Sequence, residues 1–284
     1  MQRDFTTLKN KTNVPPKARK TAFICALKEG VVIKTILITG SSRGIGAEIA
    51  RLAFLSGEYN VVINYNKSAA KAAALIKELE EIALNNPDIK YGGVIAAGAD
   101  VSKEDDVSLL FETAERTFGN VDVLVNNAAV SSYSLLQDLT LEQWQSTMEV
   151  NLNSVFLCSK RALPSMISKK SGRIINISSI WGICGSSCEV HYSTSKAAVI
   201  GFTKALAKEV GPSGITVNCV APGVIATEMN KNLTEDSLNA LCEETPLGYI
   251  GKCEDVAKSV LFLAGDGGNF ITGQVISPNG GIVI

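Results

Sequence analysis

The sequence predicts an α/β fold, a single doubly wound parallel sheet of seven strands with helices on both faces, and three observations carry that expectation. Apolar runs recur at TILIT (35–39), VVINY (61–65), GVIAAGA (93–99), VDVLVNN (121–127), RIINIS (173–178), GITVNCV (214–220) and GQVIS (273–277). Stretches with apolar residues at helical spacing separate them, and such alternation builds a parallel sheet covered on both sides. The first strand also runs straight through a glycine-rich turn into a helix, in ILITGSSRGIGAEIARLAF. A chain of 284 residues, 46% of them apolar, suits one domain with a core that needs neither disulfides nor metal.

In the first strand–turn–helix unit the spacing is T-G-x-x-x-G-x-G over residues 39–46. Gly40, Gly44 and Gly46 stand where the backbone turns tightly and approaches a ligand. With Ser42, Arg43 and Ile45 between them, they open a helix whose first amides suit a pyrophosphate. The second strand ends at Asn64. An acidic residue at such a strand end bonds a ribose 2′-hydroxyl and repels a 2′-phosphate. Here Asn64 replaces it, Arg43 lies in the glycine loop and Lys67 follows, so NADP(H) rather than NAD(H) is the expected cofactor.

Further along, HYSTSKAAVIGFTKALA reads as a helix carrying Tyr192 and Lys196. Four residues make about one turn, which stacks the phenol beside the ammonium. An ammonium near a phenol favours the phenolate, so the pKa of Tyr192 is expected to fall from about 10 toward the working pH. Ser179 precedes the tyrosine by thirteen positions, and that separation selects it over the adjacent Ser178. His191 reads as a loop or pocket-wall residue.

Taken together, Thr39 to Gly46, Asn126-Asn127-Ala128-Ala129, Asn151, Ser179, Tyr192 with Lys196, and Pro222-Gly223 resemble the short-chain dehydrogenase/reductase family, from about Lys34 to the carboxyl terminus. RIINISS, GFTKALAKEV, GITVNCVAPGVIATEM and ITGQVISPNGG are most similar to bacterial-type 3-oxoacyl-ACP reductases. The resemblance implies a Rossmann-like sheet and the NADPH-dependent reduction of a 3-oxoacyl thioester to the 3-hydroxyacyl product in fatty acid biosynthesis. It makes Tyr192 the general acid, Ser179 the residue that holds the substrate oxygen, and Lys196 the residue that lowers the tyrosine pKa and binds the nicotinamide ribose. Asn151 would keep a water in place for proton supply. Asp100 with Val101 would meet the adenine, Thr227 the carboxamide, and Asn127, Ala128, Pro222 and Gly223 complete the cofactor wall. Residues Val224 to Ile250 resemble a substrate lid. The chain departs from the family pattern at Ala129, Tyr249 and Cys253, none of which belongs to the proposed catalytic set.

The implied partner is acyl carrier protein or acyl-CoA. Lys169, Lys170 and Arg173 offer a basic face to an acidic carrier, but Ser213 stands where the family commonly has a second basic residue, which leaves room for acyl-CoA. A long helix is expected over Thr140–Met166, with an apolar stripe of Leu141, Trp144, Met148, Leu152, Val155 and Phe156 that suits either core packing or a subunit interface. The resemblance implies a homotetramer. Other short-chain oxidoreductases, acting on acetoacetyl-CoA, a sugar or a cyclic alcohol, share the same catalytic set. A non-catalytic nucleotide sensor would be expected to lack the tyrosine, the lysine or the serine, and all three are present.

Composition narrows the setting. Seven scattered cysteines without a C-x-x-C pair and a single histidine point to no metal site and to a reducing, cytoplasmic location. No apolar run approaches the roughly 18 residues of a membrane span, and no basic, aromatic-interleaved surface suggests nucleic acid. The chain carries 27 basic and 28 acidic residues, and residues 1–30 hold seven of the former with only Asp4 and Glu29 of the latter. Residues 1–33 therefore read as a basic extension outside the catalytic domain of 34–284. A disordered or gene-start extension is the favoured origin, and a transit peptide to an organelle stroma or matrix is the competing one.

Overall fold

The computed structural model describes residues 22–23, 33–228 and 234–284. In chain order the elements are β1 (Ala22–Phe23), β2 (Lys34–Ile38), α1 (Gly44–Leu55), β3 (Tyr59–Tyr65), α2 (Ala69–Asn85), β4 (Val94–Gly98), α3 (Glu104–Phe118) and β5 (Val123–Asn126). They continue with α4 (Leu141–Met148), α5 (Ser154–Lys169), β6 (Gly172–Ile177), α6 (Trp181–Cys184), α7 (Val190–Val210), β7 (Ile215–Val220), α8 (Glu235–Glu244), α9 (Cys253–Ala264) and β8 (Val275–Ile276). The strands lie in the order β1-β4-β3-β2-β5-β6-β7-β8. Seven are parallel, as the sequence predicts.

The eighth is a difference. Ala22 and Phe23 pair antiparallel with Ile95 and Val94, adding two residues to the sheet edge from a segment expected to lie outside the fold. Two residues carry no periodicity, so nothing in the sequence marks them as a strand. The rest of the basic arm, and with it the readings of its origin, lies outside the described residues.

Alternation along the strands divides the core into two layers. Ile36, Ile38, Val61, Ile63, Val123 and Val125 face α1, α2 and α9, where they meet Ile49, Phe54, Ile76, Leu79, Val260 and Leu263. Leu37, Val62, Ile95, Leu124, Ile174 and Val217 face the opposite way onto Phe111, Ala162, Met166 and Val210 of α3, α5 and α7. A strand buried on both faces must be apolar at every position, which is why these runs read as continuous rather than alternating. Each such Ile, Leu or Phe contributes about 1.5–3 kcal/mol of burial.

The chain moves outward from β2 to β3 and β4, then returns to pass through β5, β6 and β7 on the other side of β2. The reversal opens a crevice between the carboxyl ends of β2 and β5, the place where such sheets take ligands.

The long helix expected from Thr140 is real but interrupted. Thr140 and Gln143 form a reciprocal capping box at the start of α4. A π-helical turn over Glu149–Asn153 then joins α4 to α5. Its wider turn breaks the α register at Asn151, and such turns are frequent at functional sites. Of the apolar stripe, Val155 is 3% exposed, whereas Leu141 is 69% and Phe156 48% exposed. Internal packing therefore accounts for Val155 and Leu152 but not for Leu141 and Phe156. Lys169, Lys170 and Arg173 lie at the amino end of β6, the sheet edge opposite the crevice, where Lys169 pairs with Asp122 at 2.7 Å. No helix among the described residues is long and apolar enough to cross a membrane.

Candidate active site

The crevice is a cleft of about 1270 Å³. Its floor is the glycine loop after β2. Gly40 and Gly44 have φ of +62° and +57°, a region that L side chains rarely adopt. A Cβ on Gly46 would stand 2.5 Å from Asn127 Nδ2 and 2.8 Å from the Gly40 carbonyl oxygen. The loop is pinned from the β5 side. Thr39 Oγ1 accepts from the main-chain amides of Asn127 (2.9 Å) and Ala128 (3.0 Å), while Asn127 Nδ2 donates to the carbonyls of Thr39 (2.9 Å) and Gly40 (3.1 Å). No side chain caps the amino end of α1, and Ser42, Arg43, Gly44, Ile45 and Gly46 line the cleft there. The uncapped helix terminus with its glycine cradle fits a phosphate group.

Asn64 lines the cleft beside the glycine loop. Its side chain is 1% exposed and turned inward, accepting from the Gly40 amide at 3.0 Å and donating to the carbonyls of Ala97 and Ala99. It braces the loop against the end of β4. Tyr65, Asn66 and Lys67, which follow it, line the cleft as well. Arg43 does face the cleft, where its guanidinium pairs with Glu228 at 3.5 Å, and Glu228 also holds Lys71 at 2.6 Å.

Just past β4, Asp100 and Val101 line the cleft. The Asp100 carboxylate accepts from the Ser102 amide (3.1 Å) and hydroxyl (2.7 Å). Burial pushes its pKa up, but hydrogen bonds from Ser102 and Asn66 and the charge of Lys103 outweigh this and leave it below the usual carboxylate range. Pro222, Gly223 and Thr227 form the far wall. Gly223 approaches Asn279 so closely that a Cβ would lie 2.8 Å from its Cα.

At the opposite end, α7 carries Tyr192 and Lys196 on one face, with the Lys196 Nζ 5.6 Å from the tyrosine ring centroid. Ser179, just past β6, lines the cleft with the phenol, and its hydroxyl accepts from the Trp181 amide at 3.2 Å. Ser178 is excluded as its substitute, because its hydroxyl donates to the Lys196 carbonyl at 2.8 Å. Lys196 is 2% exposed, and its ammonium donates to the Ile177 carbonyl at 2.8 Å. Burial pulls its pKa down to about 8, against a smaller opposing effect of Cys219.

The tyrosine does not have the expected acidity. Burial pushes the Tyr192 phenol up to about 12, the Ser179 hydrogen bond opposes this, and the negative charge of Glu189 adds to the rise. Desolvation of a phenol that is 8% exposed is the largest cause, as burial disfavours the charged form.

Asn151 lies behind the cleft wall, 1% exposed. Its amide oxygen accepts from the Val130 amide (2.8 Å), and its Nδ2 donates to the Val130 carbonyl (2.9 Å) and Ser195 Oγ (3.0 Å). It ties the segment after β5 to the helix that carries Tyr192. His191 is fully buried within α7, with Nε2 2.9 Å from Ser132 Oγ, and is not a wall residue. Wall positions that the sequence did not mark include Ser131, Ser132 and Tyr133 after β5, Trp181 at the start of α6 and Glu189 just before α7. These segments meet only in the folded chain.

Residues 34–238 match the short chain dehydrogenase family, and the chain belongs to it. Among its relatives are proteins named 3-oxoacyl-[acyl-carrier-protein] reductase. The one from Synechocystis is 43% identical over 250 residues, 87% of this chain and 96% of the relative. Those from Chlamydia trachomatis and Staphylococcus epidermidis are 42% and 41% identical, covering 89% and 88% of this chain and 98% of each relative.

If burial governs the phenol, Tyr192 in the free protein stays protonated until about pH 11. The near-ultraviolet difference titration of wild type against Tyr192→Phe should show no phenolate from this residue near neutrality. A phenolate signal at about pH 8 would instead restore the lysine-dominated picture.

Proposed function

We propose that the chain is an NADPH-dependent reductase of 3-oxoacyl thioesters, carried on acyl carrier protein, that forms the 3-hydroxyacyl product in fatty acid biosynthesis. The observation that carries this reading is the convergence of Ser179, Tyr192 and Lys196 at one end of the cleft whose other end is the glycine loop. The names of the relatives, over nearly their full length, support the substrate class.

In this reading the amides from Ser42 to Gly46 hold the pyrophosphate, and Asp100 and Val101 border the adenine. Arg43, with Lys67, meets the 2′-phosphate, for which Arg43 must leave Glu228. Lys196 holds the nicotinamide ribose, and Thr227, Pro222 and Gly223 border the ring. The reduced nicotinamide supplies a hydride when bound.

Ser179 fixes the substrate carbonyl oxygen, and the neutral Tyr192 phenol gives that oxygen its proton. A phenol held near pKa 12 is fully protonated at neutral pH and so stands in the state that reduction needs. The reverse oxidation needs the phenolate and starts at a disadvantage. Asn151 acts by position, holding the Val130 segment against α7 so that Ser179 and Tyr192 face one point. Acyl-CoA is the second substrate reading, favoured by Ser213 at a position where the family commonly carries a basic residue. The exposed stripe of α4 and α5, with Leu141 and Phe156, is proposed as a contact between subunits of a homotetramer.

Tyr192→Phe should lower kcat for NADPH-dependent reduction of acetoacetyl-ACP and acetoacetyl-CoA by about 10²–10⁴-fold, the usual share of a general acid. NADPH affinity should stay within about threefold, since only the proton donor is removed. Surviving turnover would discard the mechanism. With both cofactors compared, NADPH should exceed NADH in kcat/KM, and Arg43→Ala should erase much of that preference; equal efficiency would discard the NADP assignment. Sedimentation at micromolar concentration should give the tetramer, and a monomer would remove the interface role of the stripe.

A further inference from the structure

Building on that function, we propose that Glu189 makes the cleft selective for uncharged 3-oxoacyl esters and thioesters and turns away free 3-oxo acids. Glu189 immediately precedes α7, three positions before Tyr192, and both residues line the cleft. Its side chain lines the cleft, although the residue is only 4% exposed. The carboxylate accepts from the Ser131 hydroxyl at 2.5 Å.

The carboxylate is also held in place. The segment 131–134 that carries its partner is fastened to the start of α7 at two further points. Ser132 Oγ meets His191 Nε2 at 2.9 Å, and the Ser134 amide donates to the Cys188 carbonyl at 2.8 Å. Swinging Glu189 toward solvent would break its bond to Ser131, so its charge stays at the wall beside the reacting phenol. The effect of that charge is felt at both tyrosines of the pocket, Tyr192 and Tyr133, whose phenols it helps to keep protonated.

Of the four cations that line the cleft among the described residues, Lys67 stands after β3 at the glycine-loop side, and the other three have partners of their own. Arg43 faces Glu228 at 3.5 Å, Lys103 faces Glu149 at 3.6 Å, and the Lys196 ammonium lies on the Ile177 carbonyl. A substrate whose 3-oxo carbon sits at Tyr192 places its carboxyl carbon only two bonds farther along. In an ester or thioester that group is neutral. In a free 3-oxo acid it is an anion, brought within a few ångströms of a fixed negative charge in a partly dry wall, where repulsion is poorly screened. The same residue thus leaves the carrier-bound substrate unpenalised and rejects its hydrolysis product, which is selection by a repulsive element.

The test compares kcat/KM with NADPH for three probes: the N-acetylcysteamine thioester of acetoacetate, ethyl acetoacetate and acetoacetate itself. Wild type is measured beside Glu189→Gln, which keeps the shape and the bond to Ser131, and Glu189→Asp, which keeps the charge. The wild type should favour both neutral probes. Glu189→Gln should raise the acetoacetate-to-ester ratio at least about tenfold, as expected for removing one unit charge a few ångströms away. Glu189→Asp should keep the wild-type preference. A ratio in Glu189→Gln within about twofold of wild type, or an Asp variant that behaves like the Gln variant, overturns the charge-based selection. Failure of the wild type to reduce the thioester would remove the proposed function itself, a separate outcome that takes this inference with it.

Discussion

An ammonium buried inside the fold organises this site. Lys196 projects from α7 beneath Tyr192 and finds the Ile177 carbonyl at the end of β6. A cation removed from water costs several kcal/mol unless it is paired, and one carbonyl compensates for only part of that. Its pKa therefore falls to about 8. The same burial that strains the lysine protects the phenol beside it, pushing Tyr192 in the opposite direction because its charged form is the anion. The free protein thus keeps a neutral proton donor next to a cation of reduced affinity for its proton, an arrangement suited to giving a proton to a carbonyl oxygen.

Everything around that pair serves to aim it. Asn151 at the π-helical turn joins Val130 to Ser195, and Ser178 holds the Lys196 carbonyl while leaving Ser179 to face the phenol. At the other end of the cleft, Asn64 and Asn127 hold the glycine loop from two strands, their amides bonded to main-chain groups of Gly40 and Thr39. Polar side chains buried this deeply must be satisfied, and once satisfied they rigidify the backbone they hold.

Much of this was legible from residue order. Seven strands, the glycine turn and the Tyr192/Lys196 spacing each express a local rule: apolar runs for doubly covered strands, glycine where a Cβ clashes, four residues for one turn. What escaped was set by distance in sequence. The bracing role of Asn64 depends on Ala97 and Ala99, 33 and 35 residues farther along the chain, lying alongside it. Ala22–Phe23 joins the sheet through a partner some seventy residues away, without any pattern of its own. Glu189 and Ser131 carry no motif and meet only because two loops close over the same pocket.

By itself the sequence determined the fold class, the order of the strands along the chain, and the spacing that sets phenol, ammonium and serine beside a glycine-rich turn, because these follow from periodicity and backbone sterics within short stretches. The tertiary structure alone decided which protonation states those groups hold. Acidity depends on how much water and which charges surround a group, and burial by residues remote in the chain raised Tyr192 where the neighbouring lysine had promised to lower it.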